Sequence, residues 1–238
     1  MNTSKGFLLV CEGISGSGKS ESITKLSQSL YEAGITTIRV EWNSNHTIRR
    51  IVKMLNAIGI LTPLVYSLLQ WISFLIDYIT VIIPSLKKNH IIIADRYIYT
   101  AISRDAVNGA GRLIGRLMLR YVRKPDLVLF YNTPPHLCYN RIKTRGKALF
   151  HTNKFIRYNK RLKNKDLYYL KKMKKEYIRL FTGLKVKKST NIIFVNNALM
   201  NTNSHVEQYI YQKMGNADYF VHNRSNHGGS DKWLKHLT

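Results

Sequence analysis

Residues 13–20 form a glycine-rich segment whose residue types and spacing are suited to binding phosphate. The segment reads Gly-Ile-Ser-Gly-Ser-Gly-Lys-Ser and matches the pattern G-x-x-x-x-G-K-[ST] at every defined position. Glycines let several backbone N–H groups turn toward one anion at the start of a helix. Lys19 would then reach the β- and γ-phosphates of ATP, and the Ser20 hydroxyl would coordinate Mg²⁺. The predicted cofactor-binding residues are Gly13, Ile14, Ser15, Gly16, Ser17, Gly18, Lys19 and Ser20.

A second group of chemically capable residues is Asp95-Arg96-Tyr97, which directly follows the apolar run 90–94. Ligands of open parallel sheets gather at the carboxyl ends of the strands, so these side chains should face the crevice that holds Lys19. A carboxylate at that place can hold Mg²⁺ through water, and an arginine can stabilise charge on a phosphoryl group during transfer. We therefore assign catalytic roles to Lys19, Asp95 and Arg96, and a metal site to Ser20 and Asp95.

Five apolar runs supply the strands that must position these groups. They cover residues 7–11, 36–40, 90–94, 126–131 and 191–195, and they alternate with segments of helical periodicity at 19–32, 48–58, 63 onward, 100–107, 112–122, 134–145, 167–181 and 202–214. Continuous apolar strands alternating with helices are typical of a parallel sheet that is covered on both faces. The sequence predicts the α/β class, with a three-layer P-loop kinase fold built on a five-stranded parallel sheet.

Composition limits the remaining possibilities. The chain has 238 residues, suited to one large domain, and only two cysteines, Cys11 and Cys138, which argues against a disulfide framework or a zinc site and favours a cytoplasmic setting. The N-terminus lacks the basic and apolar regions of a signal peptide. Residues 58–84 carry one charge, Asp77, and are long enough to span a membrane. Pro63, Gln70 and Asp77 favour a buried helix instead, so membrane attachment is not expected.

The formal net charge of +25 is concentrated between residues 141 and 188, where 18 lysines and arginines stand against two acids. Such a stretch would attract phosphate-bearing partners, either nucleotides or nucleic acid. A solvated lysine-rich helical face is the alternative interpretation, and we prefer it for most of these lysines. Nucleic acid is therefore a possible partner but not the favoured one.

Longer segments around these motifs resemble the thymidylate kinase family of nucleoside monophosphate kinases. They are CEGISGSGKS (11–20), DRYIYTAISRD (95–105) and PDLVLFYNTPPHLCYNRIKTRG (125–146), followed by YYLKKMKKEYIRLF (168–181), which resembles the family's helix after the lid. The resemblance implies a kinase domain at 1–214 with a lid at about 146–165, and Arg141 and Arg145 directed toward ATP, Arg145 as a catalytic cation. Residues 215–238 are polar and aperiodic, and we interpret them as a C-terminal extension.

The acceptor side departs from the family's pattern. Ser15 stands where thymidylate kinases usually carry an acid, and Arg104-Asp105 stands where they have the Tyr-Gln pair that meets the thymine ring. Arg104 could contact an acceptor phosphate, with Asp105 accepting from the base or sugar. Glu41-Trp42 resembles the general base and tryptophan of deoxynucleoside kinases instead. The predicted substrate-binding residues are Glu41, Trp42, Arg96, Tyr97, Arg104 and Asp105.

Three functions follow from these observations. The first is ATP-dependent phosphorylation of a nucleoside monophosphate, dTMP to dTDP or a close analogue. The second is a deoxynucleoside or other small-molecule kinase on the same fold. The third is an ATP-binding protein that acts on nucleic acid or membrane. The resemblance also implies a homodimer formed through the apolar helices within residues 48–86.

Overall fold

The computed structural model describes residues 6–42, 44–146, 149, 153–187, 190–196 and 202–214. Its centre is a parallel sheet of five strands in the order β2-β3-β1-β4-β5. The strands are β1 (Phe7–Glu12), β2 (Thr37–Glu41), β3 (Ile91–Asp95), β4 (Leu127–Tyr131) and β5 (Ile192–Val195). In the register of the sheet Cys11 lies opposite Asp95, so the segments that follow β1 and β3 leave the sheet side by side.

Helices connect the strands. They are α1 (Lys19–Glu32), α2 (His46–Ala57), α3 (Pro63–Asp77), α4 (Ile83–Lys87), α5 (Ile98–Asn108), α6 (Leu113–Tyr121), α7 (Pro135–Thr144), α8 (Lys154–Tyr158), α9 (Lys165–Val186) and α10 (Thr202–Met214). A π-helical turn, Tyr78–Ile82, joins α3 to α4 without a break. Pro84 follows this turn, and because proline has no N–H and crowds the preceding carbonyl, the widened turn is the expected local adjustment.

Alternation along the strands divides the core into two layers. Leu8, Val10 and their neighbours at the same positions of β3 and β4 share one apolar cluster with residues of α3, α5 and α9. Leu9 and Cys11 alternate to the opposite face and are also fully buried. Helix α1, whose Ile23, Leu26 and Leu30 are buried, contacts β1, β2 and β3. The sheet is therefore covered on both faces, which confirms the predicted α/β fold class.

The predicted elements agree with the structure within a few residues at each end. Helices α1 and α10 have the predicted bounds, and α9 extends the predicted segment 167–181 at both ends. Asn164 caps the start of α9, where its side chain accepts a hydrogen bond from the Leu167 N–H. The aperiodic segment 147–165 contains a helix that we did not predict, α8, which is only five residues long. A single turn offers too little periodicity to detect in a sequence.

The chain divides into two compact units, residues 1–200 and 201–238. The first contains the sheet and α1–α9, and α10 is the described part of the second. The predicted boundary after residue 214 and the lid at 146–165 stay predictions. The proposed extension, 215–238, lies outside the described residues, as do positions 147, 148 and 150–152 of the lid.

Residues 63–87 form one helical rod that is long and apolar enough to cross a membrane, with a mean hydropathy of 1.6. One such helix is weak support for a membrane span, because buried helices of globular proteins have the same composition. The rod buries one face, including Tyr66, Gln70, Trp71 and Phe74. Its opposite face is an exposed apolar ridge formed by Leu64, Leu68, Ile72 and Ile76, four residues apart on the helix.

The contact between α9 and the sheet provides a test of the core. Phe181 is fully buried, with its ring centroid 5.0 Å from that of Phe130 and 5.2 Å from that of Tyr99. Phe181→Ala should lower the free energy of unfolding by about 3–5 kcal/mol because it leaves a cavity between α9 and β4. Urea denaturation measures this change. Val186→Ala removes an exposed side chain of the same helix and serves as control; an equal loss in both variants would contradict the packing.

Candidate active site

The phosphate-binding loop lies between β1 and α1, where the sequence placed it. Gly13, Gly16 and Gly18 all have positive φ angles, of 151°, 81° and 94°. At Gly16 the requirement is also steric, because a Cβ atom would lie 2.5 Å from the carbonyl oxygen of Cys138. The loop therefore needs glycine both for its backbone conformation and for the close approach of α7.

Lys19 begins α1 and is almost fully buried beneath this loop. Its Nζ lies 3.4 Å from the carbonyl oxygen of Ile14 and 3.4 Å from the Ser17 hydroxyl, so both neighbours are neutral acceptors. Burial lowers the pKa of the Lys19 ammonium, and the charge of Arg96 acts in the same direction, while Asp95 acts against it. An anionic phosphate would compensate this buried positive charge.

Ser20 and Asp95 meet across the crevice. The Ser20 hydroxyl donates a 3.1 Å hydrogen bond to a carboxylate oxygen of Asp95, so the structure brings the two predicted metal-binding residues together. A hydroxyl and a carboxylate are hard oxygen ligands that suit Mg²⁺, which commonly takes few protein ligands and completes its shell with phosphates and water. Among the described residues there is no group of three or more His, Cys, Asp and Glu side chains, and a magnesium site of this kind does not need one.

Arg96 points into the phosphate-binding loop. It has a left-handed backbone (φ 79°), which is uncommon for a residue with a side chain. Its Nη1 donates to the carbonyl oxygen of Gly13 at 2.9 Å and to the hydroxyls of Thr100 and Tyr177 at 3.3 Å. Nη2 lies 3.5 Å from the Ser15 hydroxyl. The Arg96 guanidinium therefore links the phosphate-binding loop to Thr100 of α5 and Tyr177 of α9.

Glu12, the last residue of β1, accepts hydrogen bonds from the residues around Arg96. We did not predict this role from the sequence. It is fully buried, and one carboxylate oxygen accepts the backbone N–H groups of Tyr97 at 2.8 Å and Thr100 at 3.2 Å. Its other oxygen accepts from the hydroxyls of Thr100 at 2.6 Å and Tyr177 at 2.9 Å. Helix α5 has no cap from the side chain of its own N-cap residue, Tyr97. A distant carboxylate therefore provides the two backbone bonds that a capping box usually supplies locally.

Burial raises the pKa of the Glu12 carboxyl, whereas the charge of Arg96 and the hydrogen bonds from Thr100, Tyr97 and Tyr177 act to lower it. The sequence did contain a signal for this residue. An acid that ends an otherwise apolar strand, Phe-Leu-Leu-Val-Cys-Glu, must be paired if that strand is buried, because an isolated buried charge is very costly.

The predicted acceptor residues are distributed unevenly. Trp42 stacks on Phe74 with a centroid distance of 5.3 Å, and its indole N–H donates to the side-chain oxygen of Gln70 at 3.1 Å. Arg104 donates to the same Gln70 oxygen at 3.0 Å and to the Tyr66 hydroxyl at 3.2 Å. Trp42 and Arg104 therefore share one polar cluster, to which Gln70 and Tyr66 are additions that sequence reasoning missed.

Three other acceptor candidates lie elsewhere. The Tyr97 side chain is fully buried and donates to the carbonyl oxygen of Arg123, so the structure gives it a core position rather than the substrate contact that we expected. Asp105 is buried and accepts the indole N–H of Trp71 at 2.9 Å, which is a structural bond. Glu41 is exposed, next to Asp95 in register, and pairs with Arg39 at 3.0 Å.

Helix α7 brings a basic residue to the phosphate-binding loop, and α9 brings one to the segment that follows β4. The Arg141 guanidinium donates to the carbonyl oxygen of Gly16 at 3.2 Å, whereas Arg145 is the exposed C-cap residue of α7. Lys174 of α9 donates to the carbonyl oxygens of Asn132 and Thr133, at 3.2 Å and 3.4 Å. Arg141 is therefore in contact with the phosphate-binding loop, and Arg145 stands at the exposed end of the same helix.

The fold and this site define a P-loop phosphotransferase of the parallel-sheet α/β class. The sequence model of the Thymidylate kinase family matches residues 11–224, and the chain belongs to that family. It is a nucleoside monophosphate kinase that uses ATP as phosphate donor, as the resemblance implied. The family match extends beyond residue 214, where we placed the end of the kinase domain.

Individual relatives are similar at modest identity. The chain is 32% identical over 145 residues to "Probable thymidylate kinase 2" of Saccharolobus solfataricus, covering 61% of this chain and 68% of the relative. It is 29% identical over 147 residues to "Probable thymidylate kinase" of Staphylothermus marinus, covering 60% and 71%. It is 28% identical over 158 residues to "Thymidylate kinase" of Legionella pneumophila (strain Corby), covering 62% and 73%. These identities agree with a divergent family member.

The buried Glu12 makes stability depend on pH. Because burial raises its pKa in the folded protein above the ordinary value of 4.5, the folded state keeps the proton to higher pH than the unfolded chain. Wild-type protein should therefore lose stability relative to Glu12→Gln as pH rises through the range above the ordinary carboxyl value of 4.5. Urea denaturation across this range measures the difference. Glu32→Gln, at an exposed position of α1, is the control, and parallel curves for wild type and Glu12→Gln would refute the expectation.

Proposed function

We propose that the acceptor is dTMP or a close analogue, so that the enzyme converts dTMP and ATP to dTDP and ADP. The main structural support is the convergence of Lys19, Ser20, Asp95 and Arg96 in one crevice at the carboxyl ends of β1 and β3. The choice of dTMP rests on the names of the relatives described above, each of which is called a thymidylate kinase or a probable one.

In this proposal the chain acts mainly by positioning and by charge. Lys19 and the loop N–H groups bind the β- and γ-phosphates of ATP, and Ser20 and Asp95 would hold Mg²⁺, which supplies positive charge between those phosphates. Arg96 stabilises the charge that develops on the transferred phosphoryl group, and Arg145 closes over ATP from the lid, excluding water. Because the acceptor phosphate is already anionic, no general base is required.

The rival activity, phosphorylation of a nucleoside, would need a base for the sugar hydroxyl. Glu41 is the candidate, since it stands beside Asp95 and next to Trp42. It pairs with Arg39, which also lies 3.6 Å from Asp95. The Glu41 carboxylate is therefore occupied by an ion pair with Arg39 in this structure. We therefore prefer a monophosphate acceptor.

A coupled ADP-release assay separates these activities. Wild-type protein with ATP and Mg²⁺ should turn over dTMP and not thymidine, and chelation of Mg²⁺ should abolish the reaction. Lys19→Met should lower kcat by at least about 100-fold, because it removes a buried donor to the transferring phosphate. Lys25→Met, at an exposed position on α1, is the matched control. Turnover of thymidine without turnover of any monophosphate would overturn the proposal.

We further propose that the enzyme is a cytoplasmic homodimer in which the apolar ridge of α3 contacts a second copy. Four large apolar side chains, Leu64, Leu68, Ile72 and Ile76, are each 39–53% exposed along one stripe. A contiguous apolar stripe of this kind is unusual on a monomer and marks an interaction surface. Pairing with an identical ridge would cover both copies, as a two-fold interface requires.

Sedimentation velocity at micromolar concentration tests the dimer. Wild-type protein should sediment as a dimer, and Leu68→Glu with Ile72→Glu should give monomers, because two unpaired carboxylates would be buried at the interface. Leu117→Glu, at a similarly exposed position of α6, should remain dimeric. A monomeric wild type would refute the proposal, and recovery in the membrane fraction would favour the alternative role of the apolar rod.

A further inference from the structure

Gln70 lies at the meeting point of the acceptor cluster. It is on the buried face of α3, with 3% of its surface exposed. Its side-chain oxygen receives two hydrogen bonds, from the Trp42 indole at 3.1 Å and from the Arg104 guanidinium at 3.0 Å. The backbone N–H of Trp42 donates to the carbonyl oxygen of Asp95, so this cluster adjoins the carboxyl ends of β2 and β3.

The chemistry of these two partners fixes the orientation of the amide. An indole N–H and a guanidinium can only donate hydrogen bonds. The Gln70 oxygen must therefore face Trp42 and Arg104, since the reverse orientation would set donor against donor at both contacts. The NH₂ group of Gln70 is consequently held in the other direction and cannot exchange places with the oxygen.

That NH₂ group is buried and has no hydrogen-bond partner in the part of the chain that the structure describes. A buried amide donor without a partner is costly, and natural proteins rarely keep one without a functional reason. The neighbouring Trp42 and Arg104 side chains are both partly exposed, so the cluster is not sealed.

The position of Arg104 on α5 relates the Gln70 cluster to the phosphate-binding loop. Thr100 and Arg104 lie on the same face of α5, four residues or about 6 Å apart along its axis. Arg96 stands four residues before Thr100, just ahead of the helix, and donates to the Thr100 hydroxyl. The phosphate-binding end of this row is Arg96, which contacts the loop. The Gln70 and Arg104 end is therefore the end of this row that lies farther from the phosphate-binding loop.

We propose that Gln70 is a specificity-determining residue whose NH₂ group donates to an exocyclic carbonyl oxygen of the acceptor base. This inference rests on the proposed nucleoside monophosphate acceptor and specifies its chemistry. Thymine and uracil carry a carbonyl oxygen at position 4, whereas cytosine carries an amino group there. An amino group would set two donors against each other in a buried site, so dTMP and dUMP are accepted and dCMP is refused.

The matched variant is Gln70→Glu. A carboxylate keeps the size of the side chain and still accepts from Trp42 and Arg104, but its second oxygen replaces the NH₂ donor with an acceptor. The ratio of kcat/KM for dTMP to that for dCMP should fall by about 100-fold, the effect of losing one bond and gaining another. Equilibrium binding of dTMP, dUMP, dCMP and dGMP, measured by calorimetry, should show the same fall in preference for dTMP over dCMP. Binding of dGMP tests whether a larger base with a carbonyl oxygen also fits.

Gln70→Met is a second variant that removes the donor without adding charge. It should weaken dTMP binding by about tenfold and leave dCMP binding unimproved. Gln28→Glu, at an exposed position on α1, controls for the added negative charge, and thermal unfolding checks that each variant is folded.

The outcomes distinguish failure of the proposed role of Gln70 from failure of the proposed function. If wild-type protein uses dTMP but the dTMP-to-dCMP ratio is the same in wild type, Gln70→Glu and Gln70→Met, the role of Gln70 is refuted and the proposed function stands. If wild-type protein neither binds nor phosphorylates any of the four monophosphates, both proposals fail. A wild type that prefers dCMP would also overturn the inference.

Discussion

The structure of the active site depends on one buried carboxylate. Glu12 ends the central strand and accepts hydrogen bonds from the start of α5 and from Tyr177 of α9. Because its charge is removed from water, these bonds and the nearby guanidinium of Arg96 must all be present together. Arg96 in turn contacts the loop through Gly13. Strand β1, the Asp95-Arg96 turn and α9 are thus joined at one point next to the phosphate-binding loop.

Helix α3 contributes to two surfaces at once. Its buried face supplies Gln70 and Tyr66 to the hydrogen-bonded cluster with Trp42 and Arg104, and its opposite face forms the exposed apolar ridge. A helix with apolar contacts on both faces has little room for charge, which explains why residues 58–84 contain a single ionisable acid, Asp77. If the ridge pairs with a second copy, both faces of α3 are buried, and this explains why the helix is apolar enough to resemble a membrane span.

Predictability from the sequence differed between the two sides of the site. The donor side was predicted from local spacing, because the full pattern G-x-x-x-x-G-K-S between a strand and a helix is typical of a loop that binds the phosphates of a nucleoside triphosphate. On the acceptor side, Trp42 and Arg104 were identified, but their shared partner Gln70 is 28 and 34 residues away and has no motif. Tyr97 and Asp105 were assigned to substrate because they lie in segments that resemble the family's motifs, and such a resemblance does not show which way each side chain points.

The sequence by itself determined the fold class, the family, the strand order along the chain and the phosphate-binding loop, because each of these depends on residues close together in the chain. Only the tertiary structure decided which polar groups share a buried environment. The bonds of Glu12 to Thr100 and Tyr177 join residues 88 and 165 positions apart. Such pairings exist because a buried donor or acceptor must find its partner wherever the packed sheet and helices place one, and the spacing of residues along the chain does not record that constraint.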